Sequence, residues 1–137
     1  AYRIGWLREV AMDLHSDLVL ARGLGTTKGG TGHWWAQRVT AVALIPLGLW
    51  FVYSAVSLGG VDLAGYKAWL NGSGNLLLMV LFIGTLFYHM KLGIQAVIED
   101  YVHVESIKIT CLILNNLITI FLALAAFLSV LKMLLGG

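Results

Sequence analysis

The chain has 137 residues, of which 59% are hydrophobic and only 12% are charged. A soluble domain of this size exposes much of its surface and normally carries about a quarter charged residues, so the composition indicates an integral membrane protein. The formal net charge of +2, with no run of basic residues, gives no indication of nucleic-acid binding. A single cysteine excludes an intrachain disulfide.

Residues 1–38 are predicted to form an N-terminal surface segment. Residues 1–20 mix charged and apolar side chains at a spacing typical of a short surface helix, although a tail that orders only on docking fits equally well. Residues 23–32 contain five glycines and no apolar periodicity, which predicts an extended or looping arm. The stretch HWWAQR, residues 33–38, then carries tryptophans and basic groups that are ordinary at headgroup depth.

Three apolar blocks, at about residues 39–58, 76–98 and 107–131, are each long enough to cross the hydrocarbon core. Pro46 is expected to kink the first block, and a polar loop over residues 59–74 joins it to the second. In the third block, Asn115 and Asn116 are typical of hydrogen bonding between membrane helices. The predicted fold is therefore all-α, with three transmembrane helices in a single membrane domain.

Basic residues set the predicted orientation, because they concentrate on the cytoplasmic or matrix side of a membrane. One side, comprising the N-terminal segment and the loop between the second and third spans, has six: Arg3, Arg8, Arg22, Lys28, Arg38 and Lys108. The other side has two: Lys67 and Lys132. The N terminus is therefore predicted to face the cytoplasm or the mitochondrial matrix.

His89 lies near the middle of the second span, where an ionisable group is unfavourable and usually has a partner. Helical periodicity places His89, Gly93, Ala96 and Asp100 on one stripe, so a ring-shaped ligand bound at His89 would lie over small side chains. A neutral imidazole is a good axial ligand for heme iron. A histidine that merely hydrogen-bonds to a neighbouring helix, with Gly93 allowing close packing, is the alternative that the pattern leaves open.

The remaining histidines constrain the heme hypothesis. His15, His33 and His103 all lie outside the predicted spans, too far from the membrane midplane to bind the opposite face of the same heme. A second axial ligand would therefore come from another polypeptide, in a heterodimer or a symmetric homodimer. On the same span, Lys91 and Gln95 share a different face, which we expect to contact protein instead of lipid.

Asp100 and Tyr101 lie where the second span leaves the membrane. A boundary tyrosine is usually part of the aromatic belt, and a boundary aspartate is usually solvated. The functional alternative is that the Tyr101 hydroxyl, an uncharged donor at neutral pH, donates a hydrogen bond to a quinone carbonyl while Asp100 helps to deliver protons. The residues alone favour the ordinary interpretation.

The pattern His89-x3-Gly93-x6-Asp100-Tyr101, in the setting HMKLGIQAVIEDYVH, resembles the hydrophobic membrane-anchor subunits of succinate dehydrogenase (respiratory complex II). It is most similar to the smaller of the two anchors, of the alphaproteobacterial and mitochondrial type. The stretch GTGHWWAQRVTAVALIPL, residues 30–47, resembles the entry to the first span in the same family. The number of spans, the length and the orientation agree, so the resemblance covers nearly the whole chain.

The resemblance implies a set of roles. His89 would be one axial ligand of heme b, with the larger cytochrome b-type anchor subunit supplying the other, and Gly93 would pack against the heme. Tyr101 would bind ubiquinone with Asp100 beside it. Arg38 and His33 would contact the heme propionates. The resemblance also implies a flavoprotein carrying FAD and an iron–sulfur protein as partners. This chain itself has neither a dinucleotide fingerprint nor enough cysteines for a cluster.

The chain is accordingly interpreted as the anchor of a succinate:ubiquinone oxidoreductase in a bacterial or mitochondrial inner membrane. In this interpretation it forms part of a heterodimeric helical bundle and has no succinate active site of its own. Two alternatives remain open from the sequence. One is an anchor of a quinol:fumarate reductase or of another cytochrome b-type complex, because the direction of the reaction depends on the quinone and the partners. The other is a heme-free membrane scaffold in which His89 is only a packed polar residue.

Overall fold

The computed structural model describes the backbone of residues 27–136 and the side chains of residues 30–136. This part of the chain contains the helices α1 (Thr27–Ser57), α2 (Leu63–Leu70), α3 (Asn75–Tyr101) and α4 (Glu105–Leu135). The predicted surface helix over residues 1–20 and residues 23–26 of the predicted arm lie outside the described residues. Packing divides the chain into two compact units, Ala1–Trp35 and Ala36–Gly137. The single membrane domain therefore stays a prediction.

Three of the helices are long and apolar enough to cross a membrane. The spans are Gly30–Ser57, Asn75–Tyr101 and Glu105–Leu135, with mean hydropathies of 2.0, 1.8 and 2.4. At about 1.5 Å per residue, a span of 27 residues is about 40 Å long, more than the roughly 30 Å of a hydrocarbon core. The number, order and approximate positions of the predicted transmembrane helices are confirmed.

The first helix begins earlier than the sequence predicts. Residues 27–32 are the first residues of α1, so the prediction of an extended arm is wrong over this part of residues 23–32. Glycine lowers helix propensity by about 1 kcal/mol relative to alanine, but each residue added to an existing helix also gains a backbone hydrogen bond. Near a membrane, where backbone groups must be satisfied internally, that gain favours extending the helix. Pro46 lies inside α1 and does not end it.

The loop predicted over residues 59–74 contains a short helix, so that prediction is wrong over residues 63–70. The carboxylate of Asp62 caps α2 by accepting a hydrogen bond of 2.8 Å from the backbone N–H of Gly65. Leu70, at the end of α2, is completely buried. The side-chain amide of Asn75 donates to the carbonyl of Trp69 at 2.8 Å, which ties the end of α2 to the start of α3.

The second unit is held together by specific contacts between its helices. α3 packs along α4, where the buried side chain of Asn115 donates a hydrogen bond of 3.1 Å to the carbonyl of Lys91. This bond confirms the predicted helix–helix role of Asn115. α1 contacts α3 through the stacked rings of Phe51 and Phe82, whose centroids are 4.5 Å apart.

The core formed by the described residues is small. Its buried apolar side chains are Leu70, Met79 and Leu92. Most other large apolar side chains on the three spans remain exposed in the isolated chain. In a membrane protein such surfaces contact lipid or the helices of other subunits, where association depends on packing and hydrogen bonds.

Candidate functional site

His89 of α3 is held by a side chain from α1. Its Nδ1 atom lies 2.9 Å from the hydroxyl oxygen of Thr40, and both side chains are half-buried. The same hydroxyl donates to the carbonyl of Ala36 at 2.7 Å, with the carbonyl of Gln37 at 3.1 Å. Donation to the carbonyl four residues earlier is the usual local hydrogen bond of a helical threonine.

The hydrogen bonds of Thr40 favour one tautomer of the His89 ring. A threonine hydroxyl has one proton, which the bond to Ala36 uses, and two lone pairs that accept. The contact with His89 is then a bond in which Nδ1–H donates and the hydroxyl accepts. In the neutral ring the lone pair consequently resides on Nε2. This is the arrangement of a metal-binding histidine, whose other nitrogen normally donates to a neighbouring group.

The helix face beside His89 carries small residues. Gly93 lies one turn along α3 and faces α1, where a Cβ built on it would be in van der Waals contact with the Nε2 atom of Gln37, at 3.9 Å. The glycine therefore keeps bulky side chains off this face and also lets α1 approach α3 closely. Ala96, which is also small, continues the face by another turn. The donor atom and the small neighbours together fit an axial heme ligand.

Arg38 and His33 both lie on α1. Arg38 is exposed and precedes Thr40 by two residues, so its backbone is offset from the level of the Thr40–His89 bond by about 3 Å along the helix. Its long side chain can therefore reach groups near that level. His33 belongs to the first compact unit, and its Nε2 is a buried nitrogen with no hydrogen-bond partner among the described residues. A buried polar nitrogen without a partner is uncommon in folded proteins.

Asp100 and Tyr101 form a separate, exposed group at the C-terminal end of α3. Tyr101 is the last residue of the helix, and its side chain is 78% exposed. About 18 Å of helix separates it from His89. The structure therefore does not bring these two residues together with the imidazole. A ligand at Tyr101 would bind at the end of the helix, beside the exposed side chain of Asp100.

The face of α3 that carries Lys91 and Gln95 lies against α4. Both side chains are half-buried and line a cavity of about 280 Å³ together with Asn115 and Asn116. The Gln95 amide also donates to a carboxylate oxygen of Glu99 at 2.8 Å. This arrangement agrees with the expectation that this face contacts protein.

Thr40 is the site residue that the sequence does not reveal. A threonine inside a membrane helix usually bonds to its own backbone, and the pattern gives no sign that it also contacts a residue 49 positions away. Across the described residues, there is no group of three or more histidine, cysteine, aspartate or glutamate side chains that could hold a metal ion.

The three apolar spans and a polar site built around one histidine define a helical subunit of a membrane complex. Comparison with known proteins identifies it further. Residues 12–131 match the family described as the succinate dehydrogenase/fumarate reductase transmembrane subunit. The chain belongs to this family.

Curated relatives carry the same description. A hydrophobic membrane anchor subunit of succinate dehydrogenase from Rickettsia bellii is 31% identical over 118 residues, which cover 86% of this chain and 94% of that protein. The succinate dehydrogenase membrane anchor subunit of Reclinomonas americana is 34% identical over 69% of this chain and 81% of its own length. A Rickettsia conorii relative is 29% identical over 79% of this chain and 86% of its length. No solved structure matches significantly.

Proposed function

We propose that this chain is the smaller membrane-anchor subunit of a succinate:ubiquinone oxidoreductase. In this role it provides one axial ligand of heme b, contributes part of the ubiquinone site and tethers the dehydrogenase subunits to the membrane. The family and the descriptions of its relatives support the anchor role. The observation that carries the heme role is the hydrogen bond between His89 and Thr40, because it leaves Nε2 of the ring as a donor atom.

In the heme half of the site, His89 ligates the iron through Nε2. Gly93 would keep bulky side chains off the macrocycle, and Arg38 and His33 would each pair with a propionate, as the resemblance to the family implies. A bound b-type heme supplies reversible one-electron chemistry. The second axial ligand would come from the larger cytochrome b-type anchor subunit, as the resemblance to the family implies. Of the other histidines among the described residues, His103 lies outside the membrane spans and His33 lies at the start of the first span.

In the quinone half of the site, Tyr101 donates a hydrogen bond from its hydroxyl to a carbonyl oxygen of ubiquinone. This bond orients the ring and stabilises the negative charge that develops on the oxygen during reduction. Complete reduction to the quinol takes up two electrons and two protons. The exposed carboxyl of Asp100, next to Tyr101, passes protons from the aqueous side to the quinone oxygens.

The chain holds no dinucleotide fingerprint, and its single cysteine cannot hold an iron–sulfur cluster. FAD and the clusters therefore belong to the flavoprotein and the iron–sulfur subunit. These subunits dock on the side of the membrane where the C-terminal end of α3 carries Tyr101. By the distribution of basic residues, this is the cytoplasmic or matrix side, where the N terminus also lies. The membrane is a bacterial cytoplasmic membrane or a mitochondrial inner membrane.

The heme role is tested by replacing the ligand. In the purified complex, His89→Ala is expected to abolish or shift the b-type bands of the dithionite-reduced spectrum. Oxidation of succinate with a soluble electron acceptor should be retained, because that reaction takes place in the partner subunits. His103→Ala, which changes an exposed histidine outside the spans, is the matched control and should retain the spectrum. An unchanged spectrum in His89→Ala would remove His89 from the heme site.

The two alternatives are separated by measurements on the unmodified complex. A heme-free scaffold predicts no b-type signal in the reduced spectrum. A fumarate reductase anchor predicts faster turnover in the direction of quinol oxidation, with menaquinol analogues as electron donors. The family description includes both enzymes, whereas the relatives named above are described as succinate dehydrogenase subunits. Their descriptions favour the succinate-oxidising direction.

A further inference from the structure

We propose that Thr40 is a positioning residue that fixes the tautomer and the ring orientation of His89 and thereby tunes the bound heme. The inference rests on the proposed heme role of His89. Thr40 would not touch the iron or the macrocycle. It would act through the imidazole, by means of the 2.9 Å contact between its hydroxyl and Nδ1.

The hydroxyl of Thr40 is itself held in place. It donates to the carbonyl of Ala36 at 2.7 Å, and the carbonyl of Gln37 lies at 3.1 Å on the same side. Threonine is branched at Cβ, so only a few side-chain rotamers are available in a helix, and this backbone bond selects among them. An acceptor lone pair of the hydroxyl is thereby directed from α1 towards α3 before any ligand binds.

The opposite proton arrangement would prevent ligation. If the Thr40 hydroxyl donated to Nδ1, the neutral His89 ring would carry its proton on Nε2, and the carbonyl of Ala36 would lose the side-chain bond. A protonated Nε2 has no lone pair for iron. Of the two tautomers, the one that satisfies all the contacts of Thr40 is the one that can bind a metal.

The hydrogen bond also affects the electronic properties of the ligand. A group that accepts from Nδ1–H raises the electron density on the imidazole and strengthens it as a donor to iron. A stronger donor stabilises the ferric state relative to the ferrous state. Removing the acceptor should therefore raise the midpoint potential of the heme and weaken its retention. The loss of such an outer hydrogen bond typically lowers metal affinity by about 10- to 100-fold.

The test compares two substitutions at one position. Thr40→Val keeps the shape of the side chain but removes the hydroxyl, whereas Thr40→Ser keeps the hydroxyl and removes the methyl group. Thr119→Val is the matched control, because the Thr119 hydroxyl makes the same local bond, to the carbonyl of Asn115 at 2.7 Å, without contacting a histidine. Heme content, the rate of heme loss to apomyoglobin and the midpoint potential are measured on the assembled four-subunit complex.

We expect Thr40→Val to lose heme about 10- to 100-fold faster and to have a higher midpoint potential, while Thr40→Ser and Thr119→Val match the unmodified complex. A potential and a heme-loss rate for Thr40→Val equal to those of the unmodified complex would overturn the inference. So would equal shifts in Thr40→Val and Thr40→Ser, because the effect would then not depend on the presence of the hydroxyl. If Thr40→Val does not assemble, Thr40→Ala is judged by the same criteria.

The same measurements keep this inference separate from the proposed function. An unmodified complex without a b-type spectrum would refute the heme role itself, and the role of Thr40 would fall with it. An unmodified complex that has the heme and loses it in His89→Ala, but is indifferent to Thr40→Val, would retain the proposed function and refute only the positioning role.

Discussion

Removing the hydroxyl of Tyr101 should slow quinone reduction without altering the fold. The side chain is 78% exposed at the end of α3, so the substitution Tyr101→Phe removes no contact within the chain. The expected loss is that of one hydrogen bond to a quinone carbonyl, about 1–2 kcal/mol. Expressed as transition-state stabilisation, this corresponds to a decrease in kcat/KM for ubiquinone of about 5- to 30-fold.

The assay measures reduction of a short-chain ubiquinone analogue by the purified complex, with succinate as the electron donor. Succinate oxidation by phenazine methosulfate, which bypasses the quinone, should be unchanged, and the heme spectrum should be retained. Tyr53→Phe is the matched control, because Tyr53 is 74% exposed but lies on α1, and it should leave kcat/KM unchanged. A value of kcat/KM for Tyr101→Phe within about twofold of the unmodified enzyme would remove the tyrosine from the quinone site.

Two further substitutions test the packing around the site. Gly93→Leu should lower the heme content of the complex because its branched side chain would crowd the face of α3 next to His89, whereas Gly93→Ala should retain heme because its Cβ would only reach van der Waals contact with Gln37; equal heme contents would contradict a heme on this face. Asn115→Leu should destabilise the contact between α3 and α4 by about 0.5–1.5 kcal/mol, measured as a lower midpoint of detergent-induced unfolding, because it loses the bond to the carbonyl of Lys91. Asn116→Leu is its control, and equal effects of the two substitutions would show that this bond contributes nothing.

The sequence predicts the membrane spans well because length and hydropathy are sufficient for that inference. An apolar block of about 20 residues has no other stable location, whatever its neighbours. The start of α1 and the helix α2 are different. In residues 27–32 the glycines predict a loop, but the gain from extending a long helix prevails in the structure. In residues 63–70 the capping carboxylate of Asp62 is a weak signal inside a glycine-marked loop.

The site was predictable where its residues share one helix. His89 and Gly93 lie one turn apart, and Asp100 and Tyr101 end the same helix, so helical periodicity alone relates them. The contact of Thr40 with His89 was not predictable, because it depends on the register in which α1 packs along α3. That register is set by packing contacts such as the stacked rings of Phe51 and Phe82, which a linear pattern does not encode.

The small core has a consequence for how the subunit is produced. With Leu70, Met79 and Leu92 as its buried apolar side chains, the described part of the chain has little that fixes its shape before it meets its neighbours. We expect newly inserted copies to complete folding only upon joining the other subunits. Copies without a place in a complex should then be degraded by membrane proteases, which would keep the amount of this subunit matched to that of its partners.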